Sequence, residues 1–180
     1  EEKFFPKNDY LSFLKLRGSY GKVGNDKVGG SRFLFLSSDW KNGNSYYLGG
    51  LSNLAQTGLT EGSLGNENVT WEVATKMNIA TDMKFFKDKL SLTVELFKEI
   101  RNNILTSFNI PTSFGNTGIV SKYNIGTAEN KGFEVELNYR DKLESTGIEY
   151  WFNANYSFAR NKLIYKDESP QPYPGMMQTG

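Results

Sequence analysis

Residues 71–84 read WEVATKMNIATDMK, and apolar and polar side chains alternate along them. One side would present Trp71, Met77 and Ile79, whereas the other would present Glu72 and Lys76. A helix would instead scatter the charges around its whole circumference. The alternation therefore predicts a β-strand over about 69–84, with one apolar and one polar face.

The same period of two recurs in four further segments, at about 11–23, 89–101, 124–139 and 147–159. The segments 24–67 and 102–123 are rich in Gly, Asn and Ser, which predicts long irregular loops. The connections at 85–88 and 140–146 are short, so long and short connections alternate along the chain. In an antiparallel meander this gathers the long connections at one end of the sheet and the tight turns at the other, as in outer-membrane barrels.

Composition narrows the functional classes. The 180 residues contain 21 Lys and Arg, 20 Asp and Glu, and neither Cys nor His. Cys–His and Ser–His catalysis, disulfide scaffolds and most zinc or haem sites are thereby excluded. The near-neutral charge gives no field that favours nucleic acid. No apolar run approaches the ~20 residues of a spanning helix, but a membrane β-barrel needs none because its strands bury alternate residues.

Two architectures fit this pattern. In a membrane barrel the apolar faces would meet lipid and the polar faces a wet lumen; in a soluble β-sandwich the apolar faces would meet a second sheet. On the barrel interpretation, the expected lipid-facing residues are Trp71, Met77, Ile79, Leu92, Val94, Leu137 and Phe152. The expected lumen-facing residues are Glu72, Lys76, Glu95, Glu134, Glu136 and Trp151.

Four segments carry a family resemblance. They read FLKLRGSYG at 13–21, LGNENVTWE at 64–72, KLSLTV at 89–94 and NKGFEVEL at 130–137. In order and spacing they resemble the C-terminal half of TonB-dependent outer-membrane transporters of the SusC/RagA group from Bacteroidetes. The resemblance predicts that residues 1–180 form part of a transmembrane barrel, and it implies about 22 strands in the whole barrel.

The resemblance also implies a function and a location. Such proteins sit in the outer membrane of Gram-negative bacteria and import oligosaccharides or peptides with energy passed on by TonB. A SusD-like lipoprotein covers the mouth, and a plug domain is expected outside this chain. On this interpretation the chain is neither an enzyme nor a cofactor carrier. A passive porin and a secreted carbohydrate-binding or adhesion sandwich remain the alternatives.

Two groups of residues are candidates for ligand contact or chemistry. The loop aromatics Trp40, Tyr46 and Tyr47 have the rings that stack on sugars, although packing of the loop on itself or on the lid protein is the favoured interpretation. Glu134 and Glu136 lie about 7 Å apart on one strand face. Such a pair can hydrolyse glycosides, but solvated lumen carboxylates are favoured.

Other features of the chain receive structural interpretations. The basic neighbours expected for these two carboxylates are Lys76 or Arg17. Gly132 is expected either to relieve crowding in the polar row or to mark a β-bulge. Trp151 has two open interpretations, contact with substrate or plug and the filling of a gap between rows. The spacing of the acidic residues predicts no metal site.

Overall fold

The computed structural model describes residues 10–27, 33–48, 54–111, 113, 119 and 122–180. Its strands are β1 Leu11–Asn25, β2 Lys41–Leu48, β3 Leu54–Thr60, β4 Glu72–Phe85, β5 Leu90–Ser107, β6 Lys122–Lys142 and β7 Glu149–Tyr165. Five of them form an antiparallel sheet in the order β1-β4-β5-β6-β7, and β2 pairs with β3. The predicted all-β fold is confirmed, and the barrel is not closed by these strands alone.

All five predicted strands are present, but several of their ends differ from the prediction. β4 begins at Glu72, so Trp71 lies one residue before the strand. β5 continues to Ser107 although its end was predicted at about 101. The pair Asn102–Asn103 has the composition of a turn, and Asn103 does adopt a left-handed φ of 60°. β5 accommodates Asn103 as a local irregularity and continues to Ser107.

A hairpin lies within the segment 24–67, where an irregular loop was predicted. β2 and β3 pair antiparallel from Lys41 opposite Thr60 to Leu48 opposite Leu54. The register shifts between Asn42 and Ser45. Because this shift breaks the period of two within β2, the sequence shows no alternation there, and the prediction of a wholly irregular loop was wrong.

The tight turns lie where they were predicted. In the β4–β5 turn, Phe86, Lys87 and Asp88 have φ values of 55°, 56° and 69°. In the β6–β7 turn, the Leu143 amide donates to the carbonyl of Ile148 at 2.8 Å. The two other connections of the sheet, β1 to β4 and β5 to β6, are long. The predicted alternation of long and short connections is confirmed.

The apolar side chains of the sheet are not covered by a second layer among the described residues. Ile79, Leu96 and Phe152 are 65%, 55% and 57% exposed. Within that same part of the chain, the buried apolar residues are Ala80 and Ile119. A sandwich would bury its apolar face in a core, so this arrangement does not support the sandwich alternative. The described residues contain no helix with the length and apolar character required to cross a membrane.

The chain divides into two compact units. One comprises Glu1–Val23, Ala74–Arg101 and Ala128–Lys162, and it contains most of the paired length of the five-stranded sheet. The other comprises Gly24–Val73, Asn102–Thr127 and Leu163–Gly180, and it contains the β2–β3 hairpin.

Asn66 organises the second unit. It is 3% exposed, and its amide group donates to the carbonyl of Lys122 at 3.0 Å. Its side-chain oxygen accepts from the Asn68 amide at 3.0 Å, while its own backbone N–H donates to Leu34 at 2.7 Å. Asn66 therefore connects three separate stretches of loop backbone.

Replacing Asn66 by Ala is expected to loosen this part of the full-length protein. The change removes the part-buried hydrogen bonds to the Lys122 carbonyl and from the Asn68 backbone N–H, each of which contributes about 0.5–1.5 kcal/mol. Limited proteolysis of the variant should cut the long loops faster than in the wild type. Asn68→Ala, at an exposed neighbour, is the matched control. Equal proteolysis of the two variants would contradict the role of Asn66.

Candidate functional site

One face of the first unit carries a network of charged and amide side chains, here called the polar face. Arg17 of β1 donates two hydrogen bonds to Asp82 of β4, from Nε to Oδ2 at 2.9 Å and from Nη2 to Oδ1 at 3.0 Å. Thr93 Oγ1 of β5 donates to the same carboxylate at 3.3 Å. Asp82 thus joins three neighbouring strands, and its charge is paired on a face that keeps access to water.

The network continues along β4 and β5. Asn78 donates to the carboxylate of Glu95, Lys76 Nζ lies 3.5 Å from Glu99 Oε2, and Arg101 also donates to Glu99. All these pairs join side chains that the period of two places on one face. The predicted positions of Lys76 and Glu95 on a polar face agree with these contacts, whereas the nature of the space they face stays a prediction.

A groove of about 470 Å³ lies over β5, β6 and β7 on the polar face. Three carboxylates line it, from Glu95, Glu134 and Glu136. Thr93, Asn155 and Ser157 add hydroxyl and amide groups to the lining, and Val135 and Tyr156 also border the groove. The groove therefore offers hydrogen-bond acceptors and negative charge to whatever occupies it, and no described lysine or arginine lines it.

The basic neighbours predicted for Glu134 and Glu136 are paired elsewhere. Arg17 binds Asp82, and Lys76 binds Glu99. Glu136 instead accepts a hydrogen bond from Asn138 Nδ2 on its own strand at 2.9 Å. The prediction of these neighbours was wrong because strand alternation gives the face of a residue and not the residue that stands opposite it.

Gly132 relieves crowding on the polar face, as predicted. A Cβ atom at this position would overlap the carbonyl oxygen of Phe158 and would lie 2.6 Å from Phe97 Cζ. Phe97 is the aromatic residue in the polar row of β5, between Glu95 and Glu99. The missing side chain of Gly132 leaves the space that the Phe97 ring occupies.

The opposite face, here called the apolar face, carries the predicted lipid-facing residues. Met77, Ile79 and Phe152 are exposed, and Leu92, Val94 and Leu137 are half-buried among their neighbours. Aromatic rings pack side by side across β6 and β7, with Phe133 centred 5.8 Å from Tyr156 and 5.9 Å from Phe158. The face is therefore apolar across adjacent strands, and contact with lipid stays a prediction.

A polar cluster marks the end of the apolar face near the tight turns. Lys89 Nζ lies 2.7 Å from Asp141 Oδ1, and the hydroxyls of Tyr139 and Tyr150 donate to Asp141 Oδ2 at 3.1 and 3.5 Å. The hydrogen bond to Asp141 raises the pKa of Lys89, which lies in the β4–β5 turn. Tyrosines with their hydroxyls in a polar cluster and their rings against an apolar row suit a membrane–water boundary.

The predicted aromatic positions have different environments. Trp71 lies against Gly24, where a Cβ would be 2.9 Å from its Cε3 atom. Tyr46 lies over Gly58 of the hairpin, where a Cβ would approach its Cε2 atom to 2.7 Å. Trp40, Tyr47 and Trp151 are 67%, 72% and 71% exposed. Tyr46 is itself 66% exposed, so all four of these rings remain largely accessible to solvent.

The last of the predicted lumen-facing residues, Glu72, is half-buried at the start of β4. Among the described residues, no group of three or more Asp or Glu side chains is placed to hold a metal ion. The site is thus an arrangement of binding groups on one sheet face.

Comparison with known proteins identifies the family to which the chain belongs. Residues 7–176 match the family model described as TonB dependent receptor-like, beta-barrel. TonB-dependent receptor P26 of Formosa agariphila is 32% identical over 165 residues, which cover 91% of this chain and 16% of that protein. TonB-dependent receptor SusC of Bacteroides thetaiotaomicron is 27% identical over 146 residues, covering 77% of this chain and 13% of SusC.

The fold is also found among solved structures. The RagAB peptide importer in its open-open state matches with a TM-score of 0.70 at 21% identity, covering 97% of this chain and 18% of the matched chain. The chain thus spans less than one fifth of the proteins that it matches. Because the family match runs over nearly the whole sequence, the chain belongs to the TonB-dependent receptor family and is part of its β-barrel.

Proposed function

We propose that the chain is part of an outer-membrane active transporter that imports oligosaccharides or peptides. Energy would reach it through TonB, and a SusD-like surface lipoprotein would be its partner. The observation that carries this proposal is the two-faced sheet. It has a charged, grooved polar face opposite an apolar face that no second layer covers among the described residues. This is the division of surfaces that a barrel wall between lipid and an aqueous lumen requires.

The relatives support the transport function. One is named SusC, and a matched structure is described as a peptide importer. The groove carboxylates Glu134 and Glu136 would meet solutes or the plug on the inner side of the wall. The exposed rings of Trp40, Tyr46 and Tyr47 would be available to a ligand at the mouth.

Uptake by cells tests the proposal directly. Cells that produce the full-length receptor would be given a casein digest or a mixture of malto-oligosaccharides, and accumulation would be followed in the periplasm. Accumulation is expected to require both the receptor and TonB. Accumulation that depends on the receptor but persists without TonB would support the passive porin instead.

Removing two of the three negative charges that line the groove is expected to lower import several-fold at unchanged receptor abundance. The variant is Glu134→Gln with Glu136→Gln, which removes charge from the groove while it keeps side-chain size. Glu144→Gln, at an exposed carboxylate in the β6–β7 turn, is the matched control. Unchanged import in the groove variant would show that these two carboxylates do not contact the solute. It would not contradict the proposed transport function.

A further inference from the structure

The apolar face carries a cluster of charged side chains near the end opposite the tight turns. Lys98 Nζ lies 2.8 Å from Glu129 Oε2, and Lys131 Nζ lies 3.1 Å from Glu129 Oε1. The next residue along β5, Glu99, belongs to the network of the polar face. Because successive strand residues point to opposite faces, Lys98 lies on the apolar face, together with Glu129 and Lys131.

Neighbouring strands continue this row of charge. The rings of Phe133 and Phe158 stand side by side, so they mark one level on β6 and β7. Lys131 lies two residues from Phe133, and Arg160 lies two residues from Phe158 in the same direction. The alternation also places Lys22 of β1 on the apolar face, with β4 lying between it and Lys98 of β5. We call these four cationic residues the outer basic belt: Lys22, Lys98, Lys131 and Arg160.

The outer basic belt has more positive charge than its carboxylate neutralises. Glu129 carries one negative charge and is shared between Lys98 and Lys131. The side chains of these two lysines remain 43% and 59% exposed. The row therefore presents a net positive, solvent-accessible edge, and its charge is complementary to an anion that approaches along the apolar face.

The belt stands one membrane thickness from the tyrosine cluster at the turn end. Lys131 and Asp141 are ten residues apart on β6, which is about 33 Å along a strand and about 25 Å along the membrane normal at a tilt of ~40°. The apolar band of outer-membrane barrels has about this height. The belt lies on the side of the long connections, which face the cell exterior in such barrels.

We propose that the outer basic belt binds the phosphate groups of an anionic glycolipid in the outer leaflet. The lipid's acyl chains would lie along the apolar face below the belt, and its phosphates would reach Lys98 and Lys131. The orientation rests on the proposed transporter function. The interaction itself is separate from import, because it uses the opposite face of the sheet.

The full-length receptor in detergent micelles tests the proposal by titration with diphosphoryl lipid A. Lys98→Gln with Lys131→Gln is expected to weaken the Kd about 25-fold, at roughly fivefold per lysine. Lys98→Arg with Lys131→Arg keeps the charge and should bind like the wild type. The control Lys87→Gln with Lys142→Gln removes two lysines near the tight turns and should leave the Kd unchanged.

Two arms with the wild-type receptor separate phosphate recognition from other causes and do not depend on how the variants fold. Lipid A stripped of its phosphates should bind at least tenfold more weakly than the diphosphoryl form. Inorganic phosphate at the lipid's concentration should not compete, because it lacks the acyl chains. Equal binding of the stripped lipid, competition by inorganic phosphate, or an unchanged Kd in a folded glutamine variant would each overturn the proposal. None of these results depends on whether the receptor imports a solute.

Discussion

Arginine at Leu92 is expected to destabilise the assembled barrel by about 2–4 kcal/mol, the cost of a cation at the lipid face near the bilayer midplane. Leu92 lies on the apolar face of β5, between Lys89 at the turn end and Lys98 in the outer basic belt. The full-length receptor would be unfolded in urea from lipid vesicles, and the folded fraction followed by its heat-modifiable gel mobility.

The adjacent residue provides the control. Thr93 lies on the polar face, where it donates to Asp82 and lines the groove with Glu95 and Glu134. An arginine there would enter a region of negative charge, so Thr93→Arg is expected to change the urea midpoint little. Equal losses at Leu92 and Thr93 would contradict the assignment of the two faces.

Alanine at Gly132 is expected to cost about 3 kcal/mol, at the upper end of the usual overpacking penalty. The added methyl group would overlap the backbone carbonyl of Phe158, which cannot rotate away as a side chain can. It would also press on the ring of Phe97. The overlap can be removed only if β6 and β7 separate locally. The Gly132→Ala variant should therefore assemble poorly and unfold at a lower urea concentration.

Gly21 offers a matched control on β1, since a Cβ there meets no atom within 4 Å. Gly21→Ala is expected to leave stability unchanged or raise it by about 0.4–1 kcal/mol through the unfolded chain. A Gly132→Ala receptor as stable as Gly21→Ala would show that the space beside Phe97 is not needed.

The sequence predicts strands and faces well because both are local properties. The alternation from Glu72 to Lys84 is visible without knowledge of any neighbour, and it correctly placed Asp82 and Lys76 on the polar face. The role of Gly132 could also be predicted, since a glycine inside an alternating strand indicates that another group approaches the backbone closely. The family resemblance, carried by four short segments, agrees with the family match over residues 7–176.

Pairing between strands is where prediction from sequence fails. Arg17 was expected near Glu134 or Glu136 and binds Asp82 instead, because register depends on residues far apart in the chain. The ion pairs of Glu129 with Lys98 and Lys131 were not predicted, for the same reason. The β2–β3 hairpin was missed because a register shift at Asn42–Ser45 removes the alternation that would have revealed it.

The left-handed backbone of Phe86, Lys87 and Asp88 has a consequence for the order of assembly. No glycine relieves this connection, and residues with side chains pay about 1–2 kcal/mol each for such a conformation. We therefore expect β4 and β5 to pair along their length before the connection between them closes, so that the residues of the strands rather than those of the turn specify this hairpin.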